Sequence, residues 1–132
     1  MAGLALSVVT PTGVAFEQQV DEVTVPGLLG EFGVLPNHAP VMSVIKPGAL
    51  KVLNDGTERR IFVNGGFADV TPEGLTVLAE EAIDLEDISA DKIEQDLKAA
   101  NEDLRDASSD AKKDAAQRAV ARLEAIKAVM AR

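Results

Sequence analysis

The sequence predicts an antiparallel β sandwich or barrel over residues 1–86, followed by an antiparallel α-helical hairpin over 87–132. Three observations carry this reading. Short apolar runs alternate with turn residues up to about residue 85. All 10 glycines fall before residue 75 and all 6 prolines before residue 73. Beyond Ser89 the apolar residues switch to helical spacing and Gly and Pro disappear.

The strand signals come in order. Leu4, Leu6 and Val8 alternate, as do Val14 and Phe16, and Val23 and Val25. Further apolar runs follow at Val41–Ile45, Ala49–Leu53, Ile61–Val63, Phe67–Val70 and Leu75–Leu78. Alternation puts successive side chains on opposite faces of a strand. Turn signals separate the runs, among them Thr10-Pro11-Thr12-Gly13, Pro26-Gly27, Pro47-Gly48 and Asn64-Gly65-Gly66. Asn54-Asp55-Gly56 and Thr71-Pro72-Glu73-Gly74 have the chemistry of hairpin connections, because Gly and Asn tolerate positive φ.

In the second half, Ile93, Leu97, Ala100, Leu104 and Ala107 recur in steps of four and three, which predicts one helical face. Ser89 is its expected N-cap. Ser108-Ser109-Asp110 interrupts and offers a second cap. A second helix then places Ala116, Ala119, Leu123, Ile126 and Met130 on one face. The short interruption predicts antiparallel packing. Charge supports it: acids outnumber bases seven to three over 87–107, and bases outnumber acids six to three over 110–132. The second helix is rich in alanine, which favours helix but buries little area. That is compatible with two readings, a seam from which the arm can detach and a permanently docked arm.

Composition narrows the function. A chain of 132 residues with 46% hydrophobic residues suits one domain with an appendage. A net charge of −9 argues against nucleic acid and anionic membrane surfaces as partners. No apolar run has the length of a membrane span, so no membrane insertion is expected. The N-terminus lacks the pattern of a signal or transit peptide, so the chain is expected to work in the compartment where it is made. The absence of cysteine removes disulfides and thiolate metal sites.

Catalytic chemistry finds little to work with. The one histidine, His38, lies in Pro36-Asn37-His38-Ala39-Pro40, and no serine has a nucleophile-elbow context. It reads as a contact residue. Glu80, Glu81, Asp84, Glu86 and Asp87 lack the spacing of a calcium loop and read as a solvated linker. Gly27, Gly30 and Gly33 are neither a P-loop nor a dinucleotide fingerprint; tight backbone geometry is their expected use. Phe16, Phe32, Phe62 and Phe67 are expected in the core. The reading is a binding and coupling subunit with no catalytic residues, metal or cofactor.

The stretch from Val25 to Pro40, Val-Pro-Gly-Leu-Leu-Gly-Glu-Phe-Gly-Val-Leu-Pro-Asn-His-Ala-Pro, closely resembles the signature of the ε subunit of bacterial F-type ATP synthase, called δ in mitochondria. Lys46-Pro47-Gly48, Asn64-Gly65-Gly66-Phe67 and Val77-Leu78-Ala79-Glu80-Glu81-Ala82 follow in the family's order. The resemblance implies a ten-stranded sandwich, a helical hairpin and a place in the central rotor. There the sandwich binds the γ subunit and sits on the c ring, at the cytoplasmic face of the bacterial inner membrane. Glu31 matches a family position facing the polar loops of the c ring, and His38 lies in the same signature loop. The resemblance also implies that the hairpin restrains ATP hydrolysis by meeting the α and β subunits. Arg118, Arg122, Lys127 and Arg132 form the expected basic face. Family members that bind ATP carry a pattern like Ile/Leu-Asp-x-x-Arg-Ala. Here Ile88-Ser89-Ala90-Asp91-Lys92-Ile93 lacks its acid, arginine and alanine, so no ATP site is expected. The competing readings are a free-standing β-domain adaptor whose hairpin binds an unrelated protein, and a nucleotide sensor.

Overall fold

The computed structural model describes residues 3–131. Ten strands come first: β1 Leu4–Thr10, β2 Gly13–Val20, β3 Glu22–Gly27, β4 Gly30–Val34, β5 Val41–Ile45, β6 Gly48–Asn54, β7 Thr57–Val63, β8 Gly66–Thr71, β9 Gly74–Ala79 and β10 Ala82–Asp84. A 3-10 turn at Leu85–Asp87 leads to helices α1 (Ala90–Asp106) and α2 (Asp110–Met130). The chain divides into two compact units, with the boundary between Leu85 and Glu86.

In the first unit the strands follow the order β10-β7-β6-β3-β5-β8-β9-β1-β2, with β4 added on β3. The ladder turns over where β3 meets β5, which share the pair Gly27↔Ile45. Side chains from both sides of that turn fill one core, including Leu4, Leu6, Val8, Val23, Val25, Leu50, Ile61, Val63, Leu75 and Val77. The strand rule explains the selection. Along β9, Leu75, Val77 and Ala79 are buried while Thr76 and Leu78 are more exposed. The ladder is antiparallel except at one place: β1 runs parallel to β9, from Ala5↔Gly74 to Val9↔Leu78. The chain reaches β9 from β1 only after passing through β2 to β8, and so it returns beside β1 without a hairpin.

Two hairpins follow the turn chemistry. Asn54 pairs Thr57, leaving Asp55 and Gly56 as the loop, and both have positive φ, 52° and 77°. The Asp55 N–H also donates to Asp21 Oδ2 at 2.9 Å, tying this turn to the β2–β3 corner. Thr71 pairs Gly74 around Pro72-Glu73. At Gly66, with φ 125°, an added Cβ would lie 1.9 Å from the Leu78 carbonyl oxygen, so only glycine fits.

In the second unit, Ser89 and Ser109 are the N-caps. Ser89 Oγ accepts from the Lys92 N–H at 3.3 Å and Ser109 Oγ from the Lys112 N–H at 3.2 Å. Buried residues are Ile93, Leu97 and Ala100 on α1, and Ala116, Leu123, Ile126 and Val129 on α2. Val129 takes the buried position expected for Met130. Lys127 Nζ meets Glu94 Oε1 at 2.7 Å, joining the end of α2 to the start of α1 and marking the hairpin as antiparallel. Among the described residues, no helix is long and apolar enough to cross a membrane.

Candidate docking surfaces

The signature stretch folds as the β3–β4 hairpin and the loop after it. Gly27 pairs Gly30, which leaves Leu28 and Leu29 as a two-residue tip. The turn needs both glycines. A Cβ on Gly27 would lie 2.7 Å from the Gly30 carbonyl oxygen, and Gly30 has φ 137°. The tip is apolar and open to solvent, with Leu29 fully exposed and Leu28 60% exposed. Two backbone bonds hold its base against β5: Leu28 N–H to the Val44 carbonyl at 2.9 Å, and Lys46 N–H to the Pro26 carbonyl at 3.0 Å.

Glu31 lies one residue into β4, opposite Pro26. Its side chain is exposed and Oε2 lies 3.5 Å from Lys51 Nζ on β6. His38 sits in the β4–β5 connection, where Asn37 takes φ 64°. Its N–H donates to the Leu35 carbonyl at 3.2 Å, and Nδ1 lies 2.7 Å from the Ala39 carbonyl, which fixes Nδ1 as the protonated nitrogen. Glu31 and His38 therefore belong to consecutive segments, β4 and the connection that follows it. Neither is held as a buried acid or base would be.

A larger feature adjoins the hairpin tip. The register aligns Val44 with Phe67, Phe67 with Leu78, Leu78 with Val9, and Val9 with Val14. These residues form an apolar row across β5, β8, β9, β1 and β2. Phe67 is 50% exposed, Leu78 49%, Val44 46% and Val14 61%. The Leu28–Val44 bond makes the row continuous with the hairpin tip. Contiguous exposed apolar surface of this kind marks a protein-binding site. The row also corrects an expectation. Phe62 is fully buried, and Phe16 and Phe32 pack against the core, but Phe67 points outward. In Phe67-Ala68-Asp69-Val70, Ala68 and Val70 take the buried parity. The small Ala68 made Phe67 look like the inward residue.

Beside the row, the small residues Ala5 and Gly74 form the floor of a groove of about 510 Å³, with Ser7, Glu17, Gln19 and Thr76 among its lining. It is open, with polar and apolar groups both in its lining. Among the described residues, no group of three His, Asp or Glu side chains is placed to hold a metal ion.

On α2, Arg118 and Arg122 stand one turn apart on the same side. Lys127 lies nine residues from Arg118, half a turn away at about 100° per residue, where it pairs with Glu94. Arg118 pairs with Asp114 one turn earlier. Arg132 lies outside the described residues. The region expected to lack an ATP pattern is occupied by the first turn of α1, with Ser89 capping it.

An apolar row, an apolar hairpin tip and an appended helical hairpin on a ten-stranded β domain define a class of docking subunit. The family described as "ATP synthase, Delta/Epsilon chain, beta-sandwich domain" matches residues 3–85, which covers the first unit. The chain belongs to the ATP synthase epsilon chain family. It is 52% identical to the ATP synthase epsilon chain of Maricaulis maris over 128 residues, 97% of this chain and 96% of that one. It is 46% identical to that of Parvibaculum lavamentivorans over 114 residues, 86% of each. In solved structures the fold is similar to a chain of the Euglena gracilis mitochondrial ATP synthase, with TM-score 0.79 at 24% identity over 98% of this chain and 82% of that one.

Proposed function

We propose that this chain is the central-stalk subunit that couples the γ subunit to the c ring of a rotary ATP synthase, and that it carries no catalytic residue of its own. One observation carries the reading: the apolar row from Val44 to Val14, continuous with the Leu28-Leu29 tip. An exposed surface of this kind stays soluble by being covered, and the γ subunit is the partner assigned to it. The hairpin side, with Glu31 and His38, faces the polar loops of the c ring. There a carboxylate sets register more than affinity. The complex lies at the cytoplasmic face of the bacterial inner membrane, with this chain peripheral to the bilayer.

The helical hairpin restrains ATP hydrolysis by presenting Arg118 and Arg122 to acidic surfaces of the α and β subunits. Lys127 is assigned to holding the hairpin together, and nucleotide binding is not part of the proposal.

Co-purification with the cognate γ subunit tests the first claim. Phe67→Asp is expected to weaken that complex at least about tenfold with the β fold intact, as removal of a central aromatic contact does. Unchanged affinity would remove γ from this face. Hydrolysis by the assembled enzyme, with the full chain or a chain ending at Asp87, tests the brake. Equal rates would confine the chain to coupling. Saturable nucleotide binding by the isolated chain would restore the sensor reading.

A further inference from the structure

The two ends of the strand order, β10 and β2, share no ladder. The Arg59 side chain reaches both. Arg59 on β7 occupies the register position opposite Val52, and its side chain is 45% exposed. Its Nε lies 2.7 Å from Asp84 Oδ2 on β10, and its guanidinium carbon lies 5.4 Å from the centre of the Phe16 ring on β2. Asp84 itself pairs across from Ile61, two residues from Arg59, so the ion pair is the diagonal neighbour contact of the β7–β10 ladder. The Asp84 side chain is only 17% exposed.

β10 is the last strand before the boundary at Leu85/Glu86, and it is three residues long. Three ladder pairs hold it to β7, with the Asn64 N–H donating to the Glu81 carbonyl at 3.0 Å just before it. A strand this short at a sheet edge frays readily unless side chains fix it. Arg59 supplies the fixing. Its planar guanidinium can stack on an aromatic face and bind a carboxylate at once in a fixed geometry that the compact lysine ammonium does not offer.

We infer that Arg59 is a pin that sets where the β domain ends and the tether of the helical arm begins. With the pin in place the tether starts after Leu85. Without it β10 opens from β7 more often, and each opening gives the tether residues 82–85, about 13 Å of extended chain at roughly 3.3 Å per residue. The pin thus limits how far the arm reaches. The reach has consequences only if the arm moves, as proposed above, but the pin itself is a property of the β domain and is measured separately.

Hydrogen exchange of the full chain tests it. Arg59→Met is expected to raise exchange at the amides of 82–85 about tenfold, the factor one charge-assisted bond sets on an opening equilibrium. The remainder of the core should hold its protection. Arg59→Lys should fall between the two. Phe16→Leu keeps an apolar side chain on β2 but removes the ring face. It is expected to raise exchange at the same β10 amides by about threefold, consistent with a modest cation–π contribution. Lys51→Ala, which breaks the Glu31 pair elsewhere on the domain, should leave 82–85 unchanged. Unaltered β10 exchange in Arg59→Met, or a uniform rise across the domain, overturns the pin. A faster β10 with no change in hydrolysis by the assembled enzyme would leave the pin standing and count against the moving arm.

Discussion

The β domain and the helical hairpin are held by different means. In the β domain, large side chains from strands far apart in sequence meet in one core: Leu4, Leu6, Leu50 and Leu75 are each at most 1% exposed. In the hairpin, two of the seven buried residues are alanine, and much of the order is local. Two serine caps, the Lys92–Asp96 and Arg118–Asp114 pairs one turn apart, and a high alanine content all act within a single helix. The two units divide the work. One is rigid because its contacts are non-local. The other keeps its helices by propensity, so it can remain helical while its packing changes.

A substitution in the core of the β domain should have the largest effect. Leu50→Ala removes a fully buried side chain and is expected to cost about 2–5 kcal/mol. Urea denaturation followed by far-ultraviolet circular dichroism measures it, since the chain has no Trp or Tyr to report by fluorescence. The helical signal should outlast the β signal. A single shared transition would make the two units one cooperative body.

Leu97→Ala in α1 comes next. Leu97 is 9% exposed and is one of the few large buried side chains of the hairpin. The expected cost is about 2 kcal/mol, at the low end for Leu→Ala because the helices can close over the loss. Amide exchange along α2 is the readout, and protection there should fall while that of β6 and β7 holds. Equal protection in both units of the unaltered chain would itself argue against a detachable arm.

Much of this was legible in the sequence, and the failures follow from two physical causes. The runs at Val41–Ile45, Ile61–Val63 and Leu75–Leu78 are strands because their composition and turn signals agree. Ser89 and Ser109 were readable as caps. β4 and β10 were not separately readable. β4 carries only Phe32 and Val34 as inward apolar residues between glycines. β10 lies among acids that resemble a linker, yet Asp84 is an ion-pair partner and not a solvated charge. A three-residue strand has no periodicity to detect; its register is set by β7. The docking row failed for the other reason. Val44, Phe67 and Leu78 sit beside buried residues of similar hydrophobicity, and only the ladder decides which parity faces out.

Caps should matter less than buried leucines. Ser109→Ala removes the acceptor for the Lys112 N–H and is expected to destabilise the hairpin by about 1 kcal/mol. Gly at the same position should recover most of the loss, because a cap without a side chain leaves its helix N–H groups to water. A Ser109→Gly variant as unstable as Ser109→Ala would point to packing instead of capping.

The smallest effect should come from the Lys127–Glu94 ion pair that joins the two helices. Lys127 and Glu94 meet at 2.7 Å, but both side chains are more than half exposed. Water and salt screen such a pair, and holding two long side chains in one geometry costs entropy. A double-mutant cycle with Lys127→Ala and Glu94→Ala should therefore give a coupling of only about 0.5 kcal/mol, shrinking as salt is raised. That small value suits the comparison. If the helices were locked by cross-helix charge, their pairing would be rigid and strongly salt-dependent. If it rests on local helix order with a thin apolar seam, the coupling is small and both helices survive its loss. A coupling several times larger would make the hairpin, like the β domain, a tightly specified unit.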